Sequence, residues 1–211
     1  MQITTIEKQK RRRRANIHLD GRFAFALSLE LVMQAGLRVG DSLGPEQVES
    51  LRRADARQQA YEAALRLLAY RPRSEREMGQ RLARRGLPPE VIREAMERLR
   101  GQGLLDDAAF ARFWVESRDR HSPRGRRLLW QELAAKGIRR ETAREATAAV
   151  EEEQAALRAA EKRVPHLQGL DYPNFRRRLG DFLLRRGFSY ETVRTTVDRL
   201  WRCQQGEQSG S

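Results

Sequence analysis

The residues of this chain best equipped for chemistry are its arginines and one pair of neighbouring carboxylates, Asp106 and Asp107. Two adjacent acids could hold a metal or share acid–base work. No histidine and no further acid cluster lies near them in sequence, however, and they stand just ahead of an apolar helical pattern. That position predicts helix capping and a favourable contact with the helix macrodipole instead. Other catalytic signatures are absent: no G-x-x-x-x-G-K-[ST], G-x-S-x-G, H-E-x-x-H or C-x-x-C occurs. The single cysteine, Cys203, allows no internal disulfide and no cysteine-type metal site. The three histidines, His18, His121 and His166, are too far apart to suggest ligand spacing. The expectation is a protein that is not an enzyme, with no catalytic residue, no cofactor and no metal.

The basic residues point to binding. Lys and Arg total 42 against 29 acids, for a net charge of +13. Such an excess favours polyanionic partners. An N-terminal run supplies Lys8, Lys10, Arg11, Arg12, Arg13 and Arg14. The rest cluster where helices are expected to meet: Arg71 and Arg73; Arg84 and Arg85; Arg118, Arg124, Arg126 and Arg127; Lys136, Arg139 and Arg140; Arg185 and Arg186. Arginine's planar fork suits phosphate or carboxylate. These are the candidate contacts to DNA or to an acidic protein surface. Trp114, Trp130 and Trp201 have apolar helical neighbours and read as core anchors.

The elements that would position these residues repeat. Gly86, Gly137 and Gly187 fall 51 and 50 residues apart. Leucine stands four residues before each, at Leu82, Leu133 and Leu183, and an apolar residue follows each, at Leu87, Ile138 and Phe188. Ile92, Met96 and Leu99 then share a helix face, as do Ala143, Thr147 and Val150, and Val193, Val197 and Leu200. Each glycine is expected to end a middle helix in a left-handed cap. An earlier helix precedes each middle one, around Tyr61–Leu68, Phe110–Trp114 and Leu157–Val164. Ser74-Glu75-Arg76-Glu77 reads as a capping box. The fold class is mainly α: about three tandem three-helix repeats in an elongated array, with a small N-terminal module containing a β-hairpin.

Asp20-Gly21 between the alternating runs Ile17, Leu19 and Phe23, Phe25, Leu27 marks that hairpin. A short helix from Ser28, a third strand over 37–43 and a helix from Pro45 to Arg53 complete the expected module. The chain then divides into a basic flexible arm (1–14), a small mixed module (15–53), three-helix repeats at 54–103, 104–150 and 151–203, and a disordered tail (204–211). No apolar stretch is long enough to span a membrane, and the expected setting is a reduced cytoplasm with the protein a monomer.

Several segments carry a family resemblance. Leu19-Asp20-Gly21, Ala64-Leu65 with Leu67-Leu68, and Arg71-Pro72-Arg73-Ser74-Glu75 resemble the RecX family of regulatory proteins. So do Leu104-Leu105-Asp106-Asp107, Phe110-Ala111, Trp114, Arg118, Gly125, Glu132-Leu133 and Lys136-Gly137-Ile138. The third repeat, where Pro165 and Pro173 bracket an irregular stretch, departs most. The resemblance implies a bacterial modulator of the RecA recombinase. Such a protein binds the RecA–DNA filament and limits its ATPase, strand exchange and coprotease activities in recombination, repair and the SOS response. RecA is then the partner and single- or double-stranded DNA a secondary one. A stand-alone basic DNA-binding module of three-helix repeats is the alternative, and a nuclease-like enzyme on Asp106 and Asp107 a third reading.

Overall fold

Asp20 and Gly21 both take positive φ, 48° and 81°. That is the conformation a tight two-residue hairpin turn requires. In the computed structural model, which describes residues 1–11 and 13–208, this turn joins β2 (Arg14–Leu19) to β3 (Arg22–Ser28). Ala15, Ile17 and Leu19 on one strand and Phe25 and Leu27 on the other are buried, following the two-residue period of a half-buried sheet. The third strand is β1 (Ile3–Lys8), and the antiparallel order is β1-β2-β3. The expected arm at 1–14 is therefore corrected over its described residues. Ile3 is buried and Ile6 packs against the same core, so the segment has an apolar face that its charge conceals. Of the basic run, Lys8 ends β1 and Arg14 opens β2, and Arg12 lies outside the described residues. The strand expected at 37–43 is reduced to a single bridge between Ser42 and Gln2, with Gly40 N–H donating to Ile3 O and Ile3 N–H to Asp41 O (both 2.8 Å) along the outer edge of β1.

The chain divides into two units, residues 1–71 with 78–105, and residues 72–77 with 106 onward. In the first, α1 (Leu29–Gln34) follows the sheet, and α2 (Pro45–Leu68) runs unbroken for 24 residues. The expected boundary at 53/54 thus falls inside one helix. Asp55 near its middle anchors it to the sheet. It is 3% exposed. Its carboxylate accepts from the Arg14 guanidinium (2.6 Å), the Ser28 amide (2.8 Å) and the Gln59 amide group (2.6 Å). A buried charge is tolerated only when paired and hydrogen-bonded in this way, and the pairing ties β2 and β3 to α2. Helices α3 (Glu75–Ala83) and α4 (Pro89–Gly101) complete the first repeat, whose core is formed by Ala63, Ala64, Met78, Leu82, Leu99 and Leu105.

In the second unit, α5 (Asp107–His121), α6 (Arg126–Ala135) and α7 (Arg140–Thr147) close around Phe110, Leu129, Leu133 and Ile138. The third repeat follows: α8 (Glu152–Glu161), a short 3-10 turn at Val164–Leu167, α9 (Tyr172–Arg185) and α10 (Tyr190–Gln208) around Phe175, Leu179, Leu183 and Phe188. The expected disordered tail is corrected for 204–208, which continue α10, while 209–211 lie outside the described residues. Leu82, Leu133 and Leu183 are each fully buried, at matching places where truncation typically costs about 2–5 kcal/mol. Gly86, Gly137 and Gly187 all take left-handed φ (75°, 86°, 83°). After the second and third, Ile138 N–H reaches Leu133 O (3.0 Å) and Phe188 N–H reaches Leu183 O (3.4 Å), the closing bonds of a Schellman cap. Among the described residues the fold is mainly helical, ten α-helices with one three-stranded sheet.

Candidate functional site

The second unit is held together by two joints of the same design. At the first, Ser74 precedes α3, and its hydroxyl donates to Lys136 O (2.8 Å), one residue before Gly137. The same oxygen accepts from Glu77 N (3.2 Å), half of the expected capping box. The Glu77 carboxylate meanwhile takes Arg73 (2.5 Å), whose side chain is only 7% exposed. At the second, Gly125 precedes α6, and its amide donates to Arg186 O (3.0 Å), one residue before Gly187. Lys136 and Arg186 are thus equivalent. Each also lies over an aromatic ring, Lys136 Nζ 5.0 Å from the Trp114 centroid and Arg186 Cζ 4.7 Å from that of Phe182.

Many of the candidate arginines turn out to have intramolecular partners. Arg14 pairs with Asp55, as above. Glu132 gathers three donors: Arg118 Nε (2.9 Å), Trp114 Nε1 (2.8 Å) and the Arg124 guanidinium. Arg126 donates to Val150 O (2.7 Å) beyond the end of α7, and Arg127 to Leu184 O (3.0 Å) near the end of α9. Arg186 donates to Ser122 Oγ (3.1 Å) and Pro123 O (3.2 Å). Its guanidinium is pushed below the usual arginine range, first by burial and then by the neighbouring charge of Arg124. Arg71 is half-buried. Exposed to solvent are Lys8, Lys10, Arg11 and Arg13 around the β1–β2 connection, Arg84 and Arg85 before Gly86, Arg139 and Arg140 after Gly137, and Arg185 before Gly187.

The carboxylate pair behaves as its position predicted. Asp106 accepts from the Ala108 and Ala109 amides (2.7 and 3.1 Å) at the start of α5. Asp107 accepts from Glu75 N (2.8 Å) at the start of α3. Burial, reinforced by Glu75 and Asp106, holds the Asp107 carboxyl above the ordinary range against the pull of that amide and of Arg139. Both acids serve helix N-termini. Of the tryptophans, Trp201 packs on Phe175 (5.2 Å between centroids) as a core anchor. Trp130 is 40% exposed and instead donates to Thr147 Oγ1 (2.7 Å).

Sequence reasoning missed a second cationic cluster. Lys162, Arg163 and His166, from the connection between α8 and α9, line a pocket together with His121 and Arg186. Its only signal in the sequence was the pair Lys162-Arg163 ahead of Pro165. No spacing rule links that pair to His121, some forty residues earlier.

Comparison with known proteins places the chain in a family. Four family models match in order: the regulatory protein RecX N-terminal domain over residues 1–44, and the first, second and third three-helix domains of RecX over 60–99, 106–146 and 151–197. A regulatory protein RecX of Lacticaseibacillus casei is 32% identical over 93% of this chain and 75% of its own length. The chain belongs to the RecX family. The regulatory protein RecX of Bacillus subtilis is 29% identical over 94% of this chain and 76% of its own. Among solved structures, a crystal structure of regulatory protein RecX matches with a TM-score of 0.70 at 28% identity, over 93% of this chain and 98% of that one. RecX from Lactobacillus salivarius matches with a TM-score of 0.62 at 26% identity, over 70% of this chain and 97% of that one. The three-helix units read from the glycine repeat are the RecX three-helix domains. Among the described residues no helix is long and apolar enough to cross a membrane.

Proposed function

We propose that this RecX-family chain regulates the RecA recombinase in the cytoplasm, as a monomer that binds the RecA–DNA filament and restrains its ATPase, strand exchange and coprotease activities without catalysing a reaction. The observation that carries this reading is the ordered match to all four RecX domains along one chain. The exposed pairs Arg84 with Arg85 and Arg139 with Arg140 support it. One pair precedes its repeat glycine and the other follows its own, so exposed cations stand beside the turns of two tandem units, and weak contacts on tandem units multiply through effective concentration. The net charge of +13 favours the second reading, a stand-alone DNA-binding module.

One double substitution separates them. Arg139→Glu with Arg140→Glu reverses charge at the exposed start of α7, where acids suit the helix N-terminus, so the fold is retained. At a desolvated filament contact the change costs about 2–5 kcal/mol. The measurement is RecA ATPase on single-stranded DNA with and without the variant, beside its affinity for bare DNA. The expected result is a large loss of inhibition with a small loss of DNA affinity. Equal losses would favour the DNA-binding module, and full inhibition would remove this face from the filament contact.

A further inference from the structure

Between the end of α5, the connection from α8 to α9, and the last turns of α9 lies a pocket of about 340 Å³. That is within the range of small-molecule sites, roughly 300–1,000 Å³. Its lining holds five Lys and Arg side chains against two carboxylates, Asp119 and Glu161. Asp119 is already taken by Arg158 (2.5 Å). Among the described residues, no carboxylate forms an ion pair with Lys162, Arg163 or Arg186. Arg163 and Arg186 flank one ring instead, at 6.0 and 4.7 Å from the centroid of Phe182. Arg186 is anchored from below by Ser122 and Pro123, which fixes where its remaining N–H groups point. Two imidazoles, His121 from the end of α5 and His166 from the 3-10 turn, also line the pocket.

We propose that this pocket is a binding site for a phosphate group. Arg120 and Arg158 are paired with Glu116 and Asp119, which leaves Lys162, Arg163 and the half-buried Arg186 against the single carboxylate of Glu161, an excess of positive charge that an oxyanion would offset. Donors converge from three elements, which suits a tetrahedral anion with oxygens in several directions better than a planar carboxylate that one guanidinium can satisfy. The phosphate can come from a nucleic-acid backbone or from free phosphate, and both present the same oxygens. The site rests on the geometry of the second unit alone and is independent of which partner the protein regulates.

The three histidines provide the test, because His121 and His166 line the pocket whereas His18 sits in the N-terminal sheet. The imidazole resonances of the full chain are followed by NMR at fixed pH and ionic strength. Two probes are titrated: inorganic phosphate, and a short thymidine oligonucleotide without terminal phosphates. The expected result is a saturable shift of His121 and His166 with His18 unmoved. Replacing Lys162 and Arg163 together with Ala, both exposed and outside any core, should weaken half-saturation by about tenfold or more, as for the loss of one or two charge-assisted hydrogen bonds. Shifts with the oligonucleotide at lower concentration than with phosphate would assign the site to a nucleic-acid backbone. Shifts with inorganic phosphate alone would assign it to the free ion. No saturable shift with either probe, or shifts that the double variant leaves unchanged, would overturn the proposal.

Discussion

The joints at Gly137 and Gly187 solve one problem with different residues. In both, the residue just ahead of a middle helix donates to the carbonyl that precedes a left-handed glycine. At the first joint the donor is the Ser74 hydroxyl, and the neighbouring Arg76 side chain packs over the glycine. A Cβ on Gly137 would come within 2.7 Å of Arg76 Cβ. At the second the donor is a backbone amide, and the two backbones meet directly. A Cβ on Gly125 would stand 2.2 Å from Gly187 O, and one on Gly187 would stand 2.4 Å from Leu128 Cβ and 2.6 Å from Leu128 N. A side-chain donor reaches across a wider gap and needs one glycine. A backbone donor has no reach, so the chains must touch and both positions must lack a side chain. The second joint is the tighter and the less tolerant of the two.

The largest expected effect that tests this difference is at Gly187. Gly187→Ala adds left-handed strain of about 1–2 kcal/mol to an overpacking cost of about 1–3 kcal/mol. The urea midpoint of the full chain should fall by the equivalent of about 2–5 kcal/mol. An unchanged midpoint would mean that the close backbone approach is absent. Ser74→Ala sharpens the comparison from the other side. It removes a fully buried hydroxyl that donates to Lys136 O and accepts from Glu77 N. The expected cost is about 2 kcal/mol, and native-state hydrogen exchange should show faster exchange at the Glu77 amide. If neither changes, the first joint is held by packing of Arg76 rather than by the hydroxyl. The smallest effect is expected at Gly86, which has the same left-handed φ (75°) but where an added Cβ would meet no heavy atom within 4 Å. Gly86→Ala should cost only the backbone strain, about 1 kcal/mol. A loss as large as at Gly187 would show that conformational strain, not contact, dominates all three turns.

The parts of the fold legible in the sequence were those set by local periodicity and turn chemistry. Leu133 and Leu183 were found because apolar residues recur at helical spacing before a glycine. The hairpin was found because Asp20-Gly21 can adopt positive φ. The strand at Ile3–Lys8 was missed because its two inward residues, Ile3 and Ile6, are three apart, whereas a strand face repeats every two residues; the register shift of β1 beyond Ile3 accounts for the mismatch. Asp55 was missed because nothing local marks one acid in a charged helix as buried. Its partners Arg14 and Ser28 lie 41 and 27 residues away. The basic residues were legible as a charge excess but not individually. Arg73 and Arg84 look alike in sequence, yet one is buried against Glu77 and the other faces solvent.

By itself, then, the sequence determined the helical units, their repeat, the glycine caps and the surplus of positive charge, because each follows from the spacing or count of residues along the chain. The tertiary structure decided which cations face solvent and which are engaged. An arginine's partner is set by whatever helix end, carboxylate or ring the fold brings within about 3 Å, the reach of a hydrogen bond. It also decided that Gly125 is a contact residue, and that His121 and His166, 45 positions apart, share one pocket with Arg186. Both depend on the meeting of segments that no local pattern connects.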